Sequence, residues 1–307
     1  MKIAITGATG FVGTRLVNSL RDEDHQFIIF TRNINRAQTI FPASTFPNLE
    51  IVPYIATESG EWQEKISGCD AVVNLAGEPI AERWSPEHKK AILESRQLGT
   101  RKIIEAISKA KDKPSVLINP SAIGYYGTSE TKTFDENSPP GDDFLAEVCQ
   151  AWESEAQEVR KANVRLVILR VGIILGKGGA LAKMIPPFKL FAGGPIGSGR
   201  QWFSWIHIDD LVELIKESLK RSGIVGTFNA TAPNPVRMKE LCEALGETMN
   251  RPSWLPVPDF ALEVLLGEGS KVVLEGQQVL PKETLELGFQ YQYSTIKSAL
   301  TNIVPNV

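Results

Sequence analysis

Residues 7–13 read Gly-Ala-Thr-Gly-Phe-Val-Gly. They follow the apolar run Ile3–Thr6 and open an amphipathic stretch, Phe11–Arg21. Few folds send a buried strand through three glycines straight into a helix. Small residues in such a turn let a ligand approach the main chain, and the helix start offers unpaired N–H groups and the positive end of a dipole. The spacing is G-x-x-G-x-x-G. A lone triplet of this kind also fits a purely structural turn. With strand before and helix after, it predicts a pyrophosphate cradle made by Gly7, Thr9, Gly10, Phe11, Val12 and Gly13.

The rest of the chain continues the rhythm. Phe27–Phe30, Leu49–Val52, Ala71–Leu75, Val116–Asn119 and Leu166–Val171 are short, rich in Ile and Val, and bounded by turn or charged residues, as buried strands are. Helical spacing recurs over Glu87–Lys111, where Ile92, Leu93, Leu98, Ile103, Ile104 and Ile107 share a face, and over Ala146–Ala162. Strands alternating with helices predict an α/β protein with a doubly wound parallel sheet covered on both faces. After residue 175 the pattern loosens into glycine- and proline-containing segments. The expected division is a dinucleotide-binding domain over 1–175, to which 204–232 returns as helix and strand. Residues 176–203 and 233–307 would form a smaller, mostly helical substrate lobe.

Composition removes several classes. The 307 residues carry 33 Lys and Arg against 36 Asp and Glu, a net charge of −3, which opposes general nucleic-acid binding. No apolar run approaches the roughly 18 residues of a membrane span. Met1-Lys2 leads directly into a strand, which predicts no signal peptide. Cys69, Cys149 and Cys242 are far apart and form no C-x-x-C, and His25, His88 and His207 are the only histidines. Neither a disulfide framework nor a metal centre is expected. These features suggest a cytoplasmic protein, monomeric or homodimeric, whose partner is a small-molecule substrate.

The end of the second strand bears on cofactor choice. An acidic residue there bonds the ribose 2′-hydroxyl of NAD. This chain has Thr31-Arg32-Asn33 and then Arg36. A guanidinium pairs instead with a 2′-phosphate through charge-assisted bonds, which points to NADP(H). The alternative is that Arg32 and Arg36 are ordinary surface residues.

Gly7–Gly13, Asn74-Leu75-Ala76-Gly77 after the fourth strand and Ser121 after the fifth resemble an extended short-chain dehydrogenase/reductase with a Rossmann fold. Gly77-Glu78-Pro79-Ile80, Arg83-Trp84, Gly124-Tyr125-Tyr126-Gly127, Trp152-Glu153 and Leu169-Arg170-Val171-Gly172 narrow the resemblance to the epimerase/dehydratase-like branch. That branch ends in a small C-terminal domain and includes proteins labelled cell-division inhibitor-like. The resemblance implies that Leu75, Ala76 and Gly77 pass close to the cofactor. Glu82 and Arg83 would lie over its ribose or nicotinamide side, with Arg170 near the nicotinamide.

The usual chemistry of that superfamily needs Ser, Tyr and Lys, with Tyr and Lys one helical turn apart. Ser121 occupies its position. The following helix, Asp143-Phe144-Leu145-Ala146-Glu147-Val148-Cys149, has neither Tyr nor Lys. The chain's Tyr293–Lys297 match lies in the wrong lobe. Tyr125 and Tyr126 are the candidate substitutes, with Tyr126 and Ser121 acting on the substrate oxygen; the alternative is that both tyrosines only line the pocket. Without a lysine, such a tyrosine suits proton donation better than proton removal. Function is therefore expected to be NADP(H)-dependent oxidoreductase or epimerase-like chemistry on a hydroxyl or carbonyl compound, including a nucleotide-linked sugar. The runner-up is a regulatory protein that binds cofactor without turnover. Residues 193–202 read as a flap or a connection, Asp209 as a helix cap, and His207 as a buried histidine or a general acid.

Overall fold

The protein, here a computed structural model, is described for residues 1–304. Strands β1 (Lys2–Thr6), β2 (Gln26–Thr31), β3 (Leu49–Pro53), β4 (Ala71–Asn74), β5 (Val116–Ala122), β7 (Arg165–Val171) and β11 (Gly226–Ala230) form one parallel sheet. The shorter strands are β6 (Ser129–Phe134), β8 (Ile173–Leu175), β9 (Trp202–Phe203), β10 (Trp205–His207), β12 (Val236–Arg237) and β13 (Gln277–Val279). The order β11-β7-β5-β4-β1-β2-β3 reverses direction at β1, so a crevice opens between the carboxyl ends of β1 and β4.

Side-chain alternation divides the interior. Ile3, Ile5, Ile29, Val73, Ile118 and Leu169 face one side, against Leu16 and Leu20 of α1 (Phe11–Leu20) and Leu211, Leu214 and Ile215 of α6 (Ile208–Lys220). Ala4, Ile28, Val72, Leu117 and Ile168 face the other, against Ile103 and Ile107 of α3 (Pro86–Lys109). Each fully buried Ile or Leu contributes about 1.5–3 kcal/mol, so these two layers carry much of the fold's stability. Helix α2 (Ile34–Ile40) lies after β2, capped by the Asn33 side chain. Helix α4 (Phe144–Gln157) begins at an Asp143 cap, two residues earlier than the periodicity indicates, and ends in a 3₁₀ turn over Glu158–Ala162.

A third core lies beyond these layers and draws on both sides of the expected division, since Leu175, Trp205 and Ala232 share in it. It joins Leu181, Ile185 and Phe188 of α5 (Gly179–Lys189) to Leu241 and Leu245 of α7 (Met238–Met249) and to Leu300 of α11 (Ile296–Ile303). Between them come α8 (Asp259–Leu266), α9 (Lys271–Leu274) and α10 (Lys282–Glu286). The tail also touches the larger body, where Leu287, Phe289 and Tyr291 pack on the α1 and α6 layer. β13 pairs with β6 in parallel, tying residues 129–134 to 277–279. Both strands are polar and short, so hydrophobic alternation does not reveal them. Among the described residues, no helix is long and apolar enough to cross a membrane.

One expectation changes at the start of α6. His207, not Asp209, caps α6: its Nδ1 accepts the Asp209 N–H at 3.1 Å. The Asp209 carboxylate instead takes Arg15 Nε at 2.6 Å, tying α6 to α1. Residues 193–202 pack closely rather than standing off as a flap. A Cβ on Gly194 would come within 2.0 Å of the Leu255 carbonyl, and Trp202 Nε1 donates to Glu130 O at 3.0 Å.

Candidate active site

The glycine turn is built for close approach. Gly7 has φ +65°, and a Cβ there would meet the Leu75 carbonyl carbon at 2.6 Å. A Cβ on Gly13 would meet Ala8 Cα at 2.5 Å, so α1 can begin this near β1 only as glycine. Gly10 caps α1 without any side-chain acceptor, leaving the N–H groups of the first helical turn uncapped. That is the chemistry of an anion site, and the donor set fits a pyrophosphate. At the end of β2, Thr31 is buried and its hydroxyl oxygen accepts the Asn33 N–H at 3.1 Å. Arg32 and Arg36 are exposed beside it, with Arg32 only 3.9 Å from the Glu78 carboxylate.

A buried polar chain holds the strand ends together. Thr6 Oγ1 donates to Asn74 Oδ1 at 2.7 Å; Asn74 Nδ2 donates to Asn119 Oδ1 at 2.8 Å and to Thr100 Oγ1 at 3.1 Å. Trp152 Nε1 reaches the same Thr100 oxygen at 2.9 Å. The Ala76 N–H returns to Thr6 Oγ1 at 3.2 Å. Sheet, α3 and α4 are thereby locked at the edge where ligands bind in such folds.

Above this edge lies a cavity of about 1640 Å³ between the sheet and the second lobe. Phe11, Val12, Leu75, Ser121 and Tyr126 line it, whereas Arg170, Tyr125 and Glu82 do not. Glu82 is exposed, and its carbonyl packs against Gly269 of the second lobe. Arg83 Nη1 donates to Val264 O at 3.0 Å, which makes it an inter-lobe link. Ser121 Oγ is buried in the wall, where the Cys149 thiol, a weak partner, is the polar group beside it. A poorly paired buried hydroxyl costs free energy, and a substrate oxygen would satisfy it.

Tyr126 is turned away from that role. Its hydroxyl donates to Asn229 Oδ1 at 2.7 Å and accepts from Arg170 Nη1 at 3.0 Å, so its proton is committed inside the protein. Burial pushes its pKa up to about 12. Arg170 pairs with Glu153 and lies 3.4 Å from the Tyr125 ring centre, behind the cavity wall. His207 is buried outside the cavity and stacked on Tyr293 at 3.8 Å.

Leu145 and Cys149 of α4 face Gly124. A Cβ on Gly124 would lie 3.3 Å from Leu145 Cβ and 3.9 Å from Cys149 Sγ. Burial pushes the Cys149 thiol up to about 11, so it is not a poised nucleophile. The arginine of the wall is Arg96, on α3. Its guanidinium sits 5.2 Å from the Trp152 ring centre, under Gly77, with Nη1 donating to Glu78 O at 3.0 Å and Ile92 O at 3.2 Å. Burial lowers its pKa, against the nearby Cys149 and Glu78. Its signal in the sequence was an arginine on the otherwise buried face of α3, one turn before Gly99-Thr100.

The model of the NAD dependent epimerase/dehydratase family matches residues 3–230, and a domain of unknown function, DUF1731, matches 257–303. The Arabidopsis thaliana chloroplastic homolog of epimerase family protein SDR39U1 is 55% identical over 99% of this chain and 87% of its own. The Bacillus subtilis epimerase family protein YfhF is 41% identical over 99% and 98%. The crystal structure of human epimerase family protein SDR39U1 with NADPH superposes with a TM-score of 0.87 at 33% identity, covering all of both chains. A UDP-glucose 4-epimerase from Thermotoga maritima, at 17% identity and a TM-score of 0.81 over 99% and 98%, shares the fold. This chain therefore belongs to the NAD dependent epimerase/dehydratase family.

Proposed function

We propose that the protein is an NADP(H)-dependent oxidoreductase of epimerase-like design, acting on a carbonyl or hydroxyl compound without the Tyr–Lys pair. The observation that carries this is Ser121 Oγ, buried in the wall of the cleft that begins at the glycine turn with only the weakly bonding Cys149 thiol beside it. Gly7, Thr9, Gly10, Phe11, Val12 and Gly13 would hold the pyrophosphate; Thr31, Arg32 and Arg36 the 2′-phosphate; Leu75, Ala76 and Gly77 the nicotinamide side. The NADPH in the human SDR39U1 structure supports this choice. When bound, that cofactor supplies or accepts a hydride.

Ser121 donates a hydrogen bond to the substrate oxygen, and Arg96 sets a fixed positive charge in the same wall. Such preorganised donors stabilise negative charge developing on oxygen. The side chains beside Ser121 are poor bases: Leu145 cannot titrate, and Cys149 and Tyr126 are pushed up to about 11 and 12 by burial. That favours reduction of a carbonyl over oxidation of an alcohol. The three cysteines are buried and free, which suits a cytoplasmic or similarly reducing compartment.

The test is isotopic. NADPH deuterated at either face of C4 is incubated with the protein and a cell extract, and mass spectrometry looks for a metabolite gaining one deuterium. Transfer that disappears in Ser121→Ala supports the reading. No transfer from either form overturns it and favours the regulatory alternative, to which the absence of Tyr and Lys from Asp143–Cys149 already points.

A further inference from the structure

The cavity volume of about 1640 Å³ exceeds the roughly 300–1,000 Å³ usual for a small-molecule site. It holds room for a large substrate beside the nicotinamide end of a cofactor. Its wall toward the second lobe is predominantly apolar. Trp84, Phe144, Leu145, Met184, Leu262 and Leu266 all line it. The Trp84 and Phe144 rings meet edge to face at 5.2 Å, and the Lys89 ammonium lies 4.6 Å from the Phe144 ring centre while bonded to Glu268 at 3.1 Å.

The polar side chains in the wall are mostly committed to the protein. Asp143 Oδ1 accepts the Ala146 N–H, Gln277 Nε2 donates to Ile123 O, Ser204 Oγ donates to Gln277 O, and Glu275 accepts from Thr128. A sugar diphosphonucleotide would need the opposite: donors aimed inward, above all arginines paired with the diphosphate. The second lobe has three arginines, and none lines the cavity. Arg200 turns to Glu130 at 3.4 Å, Arg237 lies 3.7 Å from the Trp202 ring centre, and Arg251 lies 4.5 Å from that of Phe191. What remains at the cavity edge are three exposed lysines, Lys132 on β6 and Lys183 and Lys271 on the side of α5 and α9. Among the described residues none is in an ion pair, and Lys183 Nζ donates to Ala81 O at 3.4 Å.

From this distribution we infer that the site takes a large, mostly apolar molecule ending in one acidic group, with its apolar body between Leu145 and Met184 and its acid on Lys183 and Lys271. The inference rests on the reductase reading for where the site lies, and it replaces the sugar nucleotide as substrate class. Helix α8 has no buried residue, and Phe260 and Val264 are largely exposed on it outside the cavity, so an outer apolar face lies close to the cavity and needs its own control.

The experiment uses the full chain and cis-parinaric acid, a long-chain carboxylate whose fluorescence rises on burial. Expected are saturable one-to-one binding and no displacement by UDP-glucose. Leu145→Trp and Met184→Trp, each filling the cavity from a different wall, should each weaken binding at least tenfold, and so should joint replacement of Lys183 and Lys271 by Ala. Phe260→Glu on the outer face should leave it unchanged. Displacement by UDP-glucose, indifference to both tryptophans or to the lysine replacement, loss in Phe260→Glu, or no binding at all would overturn the assignment. NADPH binding is titrated in parallel. Failure of NADPH alone counts against the cofactor reading, and failure of the acid alone counts against this one.

Discussion

The Arg170 guanidinium closes on the Glu153 carboxylate through two parallel hydrogen bonds, Nε to Oε1 and Nη2 to Oε2, each 2.8 Å. Side-chain exposure is only 6% and 10%, so this is a desolvated pair. It joins β7 to α4, and through Tyr126 and Asn229 it reaches β11. Removing one partner leaves the other buried and charged. Glu153→Ala should lower unfolding free energy by about 3–5 kcal/mol in urea titration. Joint replacement by Glu153→Leu and Arg170→Met should recover much of that loss. If the double variant is no better than the single, burial of a lone charge is not the cause.

Tyr126 and Ser121 should separate cleanly. Tyr126→Phe leaves Asn229 Oδ1 without its donor and should cost about 1–3 kcal/mol of stability while turnover stays within a few-fold. Ser121→Ala should keep stability and lower kcat by about 10²-fold, as loss of one donor to a developing oxyanion does. The reverse pattern, with Tyr126→Phe inactive and Ser121→Ala active, would restore the tyrosine as the proton donor.

Arg32→Ala should weaken NADPH by about 10–100-fold, the worth of one charge-assisted bond, with little change for NADH. Quenching of tryptophan fluorescence by each cofactor measures both. Equal losses would mean that Arg32 does not read the 2′-phosphate.

His207 should make stability fall with acid. Burial holds its pKa below 6.5, while Asp209 opposes the shift and Arg15 adds to it. A histidine with a depressed folded pKa contributes stability that is fully present above its unfolded value. That contribution is lost as pH falls below 6.5 and through the folded value. Thermal unfolding between pH 7.5 and 5 should show this slope, and His207→Gln should flatten it. An unchanged slope in the variant would assign it to the carboxylates.

The sheet was legible because its strands are buried on both faces and read as continuous runs such as Ile28-Ile29-Phe30, with the glycine turn marking where the chain folds back. Ser121 was singled out by resemblance to the short-chain dehydrogenase/reductases, and β5 carries it to the cavity wall. The path of Tyr126 was not. Its partner Asn229 is 103 residues away, and nothing local says which way a ring at a strand end will turn. Arg96 was hidden because a lone arginine on an amphipathic helix reads as solvated; only the packing of Trp152 and Gly77 encloses it. β6 and β13 carry too few apolar residues to announce a pairing that spans more than 140 positions.

That pairing has a consequence for the order of events at the ribosome. The glycine turn is complete within the first 13 residues, and the strands beside it follow in turn. β13 and Gln277, which hold the turn after β5 through Ile123, emerge only near the end. Domains form from the N-terminus as they are made. A growing chain therefore holds its glycine turn from residue 13 but cannot pin the turn after β5 until residue 277 has emerged.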